Sequence, residues 1–157
     1  MRQVYTILDK LKEILRANGI TKTVTFGDIT EVDLNKTSIF PLSHIVFGNV
    51  TFNERIMSAS IRILCLDVVD VTKEKQNEDM MFGNDNLQDI LNTQLQVVND
   101  LQQEMRRGDA FSDNFQITTS VTAEPFQDNF ENQLAGWGVT VNIEVPTNEL
   151  SLCIVLM

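Results

Sequence analysis

A chain of 157 residues with 43% apolar content has the length of one ordinary domain and enough apolar side chains to bury a core. Its formal net charge is −10 and unevenly spread: residues 1–24 carry five basic and two acidic groups, residues 108–157 seven acidic and no basic ones. The C-terminal half therefore repels polyanions, which excludes an ordinary grip on nucleic acid built on Lys and Arg displacing counterions from phosphates.

Val4, Ile7, Leu8, Leu11, Ile14 and Leu15 recur at helical spacing, with Arg2, Asp9, Lys12, Glu13 and Arg16 opposite them and Gly19 as a stop, so the chain opens on an amphipathic helix. Its basic tilt is either a solvated face or a surface for an acidic neighbouring subunit. Charged and apolar residues alternate too regularly from Met1 to Ala17 for a secretory leader, and no apolar run approaches the ~20 residues of a membrane span, so a soluble protein with no membrane partner is expected. Thr21–Phe26 is β-branched and aromatic, Gly27 and Asp28 mark a turn, and Ile29–Leu34 returns, which together predict a hairpin. Pro41 then opens a short strand, Leu42–Phe47, which Gly48 and Asn49 end, and Val50–Ile56 leads into the next element.

That next element, from Met57, is apolar on both faces in its second half, since Ile61, Ile63 and Cys65 alternate with Leu64, Leu66 and Val68; this is the pattern of a central strand. Residues 70–84 have no helical or strand period and form a long acidic loop carrying the apolar knot Met80, Met81 and Phe82. The knot either folds back on the core or belongs to an arm that orders on a neighbouring subunit. Leu87, Ile90, Leu91, Val98, Leu101 and Met105 share one arc at 100° per residue, so a second helix follows with one face buried. Asp85 with Gln88 resembles a capping box at its start, and Arg106, Arg107 and Gly108 suit its end.

Two half-buried strands close the fold: Phe115, Ile117, Val121 and Ala123 alternate with polar residues, as do Trp137, Val139, Val141, Ile143 and Val145. The connection from Glu124 to Gln133, with Pro125, Phe126 and Phe130, reads as a long hairpin loop. Seven of the last eight residues, 150–157, are apolar, so Leu152, Ile154 and Leu156 must be covered, as an edge strand of their own sheet or by a neighbour. These elements predict one α+β domain over residues 1–157, with a mostly antiparallel sheet and two amphipathic helices packed on one face.

Candidate chemistry is sparse. His44 is the only histidine and alternates with Leu42 and Val46 in a strand, the position of a packed or surface residue and not of a triad base. Cys65 reads as a small core residue, and with Cys153 it has neither metal-ligand spacing nor a disulfide framework, which points to a reducing site of folding. Asp67, Asp70, Glu78, Asp79 and Asp85 do not follow the spacing of a calcium loop, and no glycine cluster cradles phosphate, so no metal and no cofactor is expected. Gln94 falls inside the apolar arc of the second helix, where its amide needs a local or an intersubunit partner.

In order and texture the chain resembles the tail-terminator (tail-completion) and neck-ring, or head–tail connector, proteins of tailed bacteriophages. The stretch Ser38-Ile-Phe-Pro-Leu-Ser-His-Ile-Val46 and the ending Leu134-Ala-Gly-Trp137 through Ile143-Glu-Val-Pro146 carry the likeness. It implies a non-enzymatic virion protein, assembled in the bacterial host cytoplasm as a homo-oligomeric ring, hexamer or dodecamer, that binds other neck or tail proteins and lets DNA pass without holding it. Within such a ring the candidate intersubunit contacts are Met80, Met81, Phe82, Phe126, Phe130, Leu152, Ile154 and Leu156, and the candidate lumen charges are Glu124, Asp128, Glu131 and Glu144. The other class of protein compatible with the residues is a small regulatory domain that binds a ligand or a protein, with the acidic loop as its lid.

Overall fold

Residues 56–68 form the axis of the sheet, as their two-faced apolar pattern requires. The computed structural model describes residues 3–27, 39–69, 87–107, 116–117, 120–129 and 133–146. Helix α1 (Gln3–Ala17) is followed by strands β1 (Thr23–Phe26), β2 (Leu42–Phe52) and β3 (Ile56–Val68), then by helix α2 (Leu87–Arg107). Strands β4 (Gln116–Ile117), β5 (Thr122–Asn129) and β6 (Gln133–Pro146) complete the order. The six strands of the described residues form one sheet, β1-β2-β3-β6-β4, with β5 also on β6. Among them only β1 and β2 pair in parallel, so the fold is α+β with a mostly antiparallel sheet.

Strand alternation divides the core in two. Met57, Ala59, Ile61, Ile63 and Cys65 stand opposite Val145, Ile143, Val141, Val139 and Trp137. This face meets both helices: Ile7, Leu8, Leu11 and Leu15 of α1 and Val97, Val98, Leu101 and Met105 of α2 close over it. Each such side chain contributes roughly 1.5–3 kcal/mol before ordering costs. On the other face Phe40, Leu42, Leu64, Leu66 and Leu134 make a smaller cluster at one end. Toward the other end that face turns polar, where Ser58, Ser60 and Arg62 oppose Glu144, Asn142 and Thr140.

Among the described residues β1 pairs with β2, in parallel register from Thr23 opposite Leu42, and the amides of Lys22 and Thr23 both donate to Pro41 O (2.9 and 3.2 Å); the expected return strand of the first hairpin, residues 29–34, lies outside the described residues. Three local expectations are corrected. Gly48 and Asn49 do not end β2 but form a bulge, because Phe47 faces Ile61 while Val50 faces Ala59. Gly48 suits the bulge: a Cβ there would lie 2.8 Å from Ser60 O. The expected long loop after Glu124 is strand β5, which reaches Asn129, and Pro125 is tolerated because β5 pairs, among the described residues, with β6 alone. The expected strand through Ile117 and Val121 is broken, since five steps from Ile117 to Thr122 face three on β6, from Ile143 to Thr140.

The helices follow their periodicity with a small rotation. In α2 Val97 is fully buried, Leu87 and Leu91 are half-buried and Leu95 is exposed. In α1 the predicted apolar face is buried from Ile7 to Leu15, with Ile14 half-buried. The chain after Ala17 is closed by Asn18, whose Oδ1 accepts from Ile20 N at 3.0 Å.

Backbones approach most closely at Gly136, where a Cβ would lie 1.8 Å from Cys65 O. Gly136→Ala is expected to cost about 3 kcal/mol or more by forcing β6 off β3. Gly19→Ala, with nothing within 4 Å of the added carbon, should be near neutral. Urea midpoints of the two variants check this, and equal midpoints would contradict the close approach.

Candidate functional site

Reactive side chains gather where β1, β2 and β3 meet, but alternation along the strands separates them. Ser43 and Cys65 face the helices, and Ser43 Oγ donates to Cys65 Sγ at 3.8 Å while lying 3.3 Å from Thr21 Oγ1. His44 is the next residue and so faces the opposite side of the sheet. Its Nε2 lies 2.8 Å from Gly27 O and its Nδ1 2.7 Å from Thr25 Oγ1. The carbonyl can only accept, so Nε2 donates to it, and Nδ1 shares a hydrogen bond with the threonine hydroxyl. Standing on opposite faces of the sheet, Cys65 and His44 do not form a thiolate–imidazolium pair. Burial pushes the Cys65 thiol from 9.0 up to about 11, against a smaller lowering by the Ser43 bond. Cys65 is thus a protonated core thiol at neutral pH.

Asp67 Oδ1 accepts from its neighbouring amide, Val68 N, at 2.8 Å. Among the described residues no three or more His, Cys, Asp or Glu side chains come together as a metal would need. Among them, too, no helix is long and apolar enough to cross a membrane.

Gln94 is 1% exposed, and neither its Oε1 nor its Nε2 has a hydrogen-bond partner among the described residues. Such depth within the chain removes the intersubunit partner that the sequence left open. Nearby, Trp137 Nε1 donates to Leu91 O at 2.7 Å and fastens α2 to β6.

The surface carries three features. A groove of about 640 Å³ runs between α2 and β5, and among the described residues Leu95, Val98, Val121 and Ala123 give it an apolar floor beneath Asn92, Gln96, Asn99 and Gln102. A second, of about 480 Å³, lies between the end of α1 and α2 beside Glu13, Asp100 and Glu104. Asp100 there already accepts from Asn18 Nδ2 (3.0 Å) and Gln96 Nε2 (2.8 Å). The third is the β2–β3 hairpin, where Val50, Phe52 and Ile56 are exposed around a turn closed by Asn53 N donating to Ile56 O at 2.8 Å.

Of the candidate contact residues, Phe126 is half-buried against the Phe40, Leu42, Leu64, Leu66 and Leu134 cluster of its own chain. Met80, Met81, Phe82, Phe130, Leu152, Ile154 and Leu156 lie outside the described residues, as does Glu131. Glu124 is exposed on β5 and Glu144 half-buried on β6, and their registers opposite Gly138 and Ser58 put both on the face away from the helices; Asp128 also belongs to β5. Lys10, Lys12 and Arg16 belong to α1 on the helical side. The exposed hairpin was not anticipated from the sequence, although Asn53-Glu54 between two apolar alternating runs is a turn signal. No protein-family model matches the chain, and no curated protein matches it.

Two outcomes test this core. Gln94→Met removes a buried amide that has no partner among the described residues and should raise stability by about 1–2 kcal/mol, read as a higher denaturant midpoint; a lower midpoint would mean the amide is satisfied. The folded pKa of Cys65 is raised, so its contribution to stability is complete below about pH 9 and is lost as pH rises through about 11. With Cys153 replaced by Ser, a thiol reagent at pH 8 should leave the native chain unlabelled and label it promptly in urea.

Proposed function

We propose that the protein is a structural subunit of a tailed-phage virion, resembling a tail terminator, which forms a ring at the head–tail junction or the end of the tail tube and catalyses nothing itself. The observation that carries this reading is the β2–β3 hairpin, because Val50 and Phe52 present apolar surface at a strand edge and not in a pocket. Surface of that kind fits a protein partner. The described elements, α1, three strands, α2, the short β4 and a closing antiparallel pair, support the likeness in order apart from the first hairpin, whose return strand lies outside the described residues. The polar end of the sheet face away from the helices, which carries Glu124, Glu144 and Arg62, is the surface we assign to the bore, where DNA would pass without being held.

The second reading, a small ligand-binding domain, is favoured by the amide-rimmed groove between α2 and β5. Light scattering over a range of concentrations, followed by electron microscopy of the assembled species, separates the two. A closed ring is expected; a monomer or two-fold dimer throughout, with saturable binding of a small molecule at the groove, would overturn the virion reading. In the ring, acidic groups should outnumber basic ones at the bore. A bore lined by Lys10, Lys12, Arg16 and Lys22 would overturn that orientation by placing α1 at the DNA.

A further inference from the structure

The outer edge of β2 is unfinished. Strand β1 covers it only from Leu42 to Ile45, and among the described residues no strand pairs along residues 46–52 on that side. Val50 and Phe52 face Ala59 and Met57 across the ladder, so they project on the helical side of the sheet, 38% and 62% exposed. They extend a row begun by Phe26 and Phe47, whose rings meet edge-on with centroids 6.4 Å apart. Residues 46–52 contain no charge and no proline, the devices that usually protect a strand edge. The bulge at Gly48 and Asn49 twists this edge without covering it.

The chain carries a segment of matching chemistry. Residues 150–157 hold seven apolar residues, among them the β-branched Ile154 and Val155, and no charged side chain, glycine or proline. This segment follows Pro146, which lies opposite Ile56 beside the β2–β3 turn, at the end of the sheet where the open edge also ends. Its own edge is nonetheless within reach only of the segment's later residues. A strand outside β2 lies three spacings from β6, about 14 Å. Four extended residues, from Pro146 to Leu150, span at most about 13–14 Å in a straight line, so pairing that begins at Leu150 has no length for rounding the turn. The tail of another copy has no such restraint.

We infer that residues 150–157 of one copy add as a strand to the outer edge of β2, along residues 46–52, of a second copy, so that Leu152, Ile154 and Leu156 cover Phe26, Val50 and Phe52. The inference rests on the self-assembly in the proposed function. A tail given to one neighbour and an edge offered to the other make a head-to-tail contact, which leaves nothing unpaired only when the ring closes.

The test uses the full chain, with cysteine placed in turn at Asn49 and at Thr51, and Cys153 as the natural partner. Mild oxidation should give a covalent dimer at one or both positions, and none when Cys153 is replaced by Ser or when the new cysteine replaces Glu13 on α1. A disulfide confined within one chain would overturn the inference by showing that the tail reaches its own edge. Light scattering of the unmodified chain separates the two levels of the argument: an oligomer without any cross-link overturns the tail contact alone, and a monomer without cross-link overturns the ring as well. Phe52→Asp, at an exposed position, should keep the monomer's melting temperature and abolish assembly; assembly unchanged in this variant would also overturn the inference.

Discussion

The ladder between β3 and β6 is the constraint on which the rest depends. It runs without interruption from Ile56 opposite Pro146 to Val68 opposite Leu134, and it sets which residues face the helices. The sequence Gly136-Trp137-Gly138 shows how one strand serves both faces. Trp137 projects toward α2 and holds it by the bond to Leu91 O, while on the opposite side the flanking glycines leave no side chain at all. At Gly136 the space is taken by the Cys65 carbonyl, and at Gly138 by the Arg62 guanidinium and Leu64, whose Cδ2 would lie 3.2 Å from an added Cβ. Weight on one face and absence on the other let the strands close up and the helix dock.

Because both helices lie on one side, the sheet's two faces have different fates. The helical side is apolar along the ladder and fully committed to the core. The other side is apolar at only one end, around Leu42, Leu66 and Leu134, and becomes polar toward Ser58 and Glu144. Two of the three polar side chains buried among the described residues are settled locally, since His44 spans Thr25 and Gly27 and Ser43 bridges Thr21 and Cys65, while Gln94 is not. What the described residues offer for function is surface: a polar sheet face away from the helices, a groove rimmed by amides and an apolar strand edge.

Much of this was legible in the sequence, for physical reasons that also explain what was not. Both helices announced themselves by period, and the central strand by apolar residues on both of its faces. Gln94 was recognisable as buried from its place in the arc, but a missing partner is a tertiary fact. The parallel pairing of β1 with β2 leaves no local pattern, because the chain between the two strands sets no register. Strand β5 was concealed by Pro125, Asp128 and Asn129, residues that usually mark loops and are tolerated on an edge. The bulge at Gly48 imitated a strand end. As for the candidate site, the sequence pointed to apolar residues at 80–82 and 152–156, whereas the surface visible in the structure is Val50, Phe52 and Ile56, which reading them as a lead-in to β3 had hidden.

Charge gives that surface a direction. Helix α1 and the approach to β1 carry Lys10, Lys12, Arg16 and Lys22 against Asp9 and Glu13, and they lie at the β1–β2 side of the sheet. Asp89, Glu124 and Glu144 lie on α2, β5 and β6, toward the other side, where α2 also carries Arg106, while Asp100 and Glu104 line the groove beside the end of α1. A two-fold contact between β2 edges would bring basic groups against basic groups, whereas a head-to-tail contact sets the basic side of one copy toward the acidic side of the next. At physiological salt charges interact strongly only within about 8 Å, so this preference acts once the subunits are nearly in contact and selects orientation more than affinity. In the proposed ring the apolar edge would supply attraction without polarity, and the asymmetric charge the polarity that closure requires.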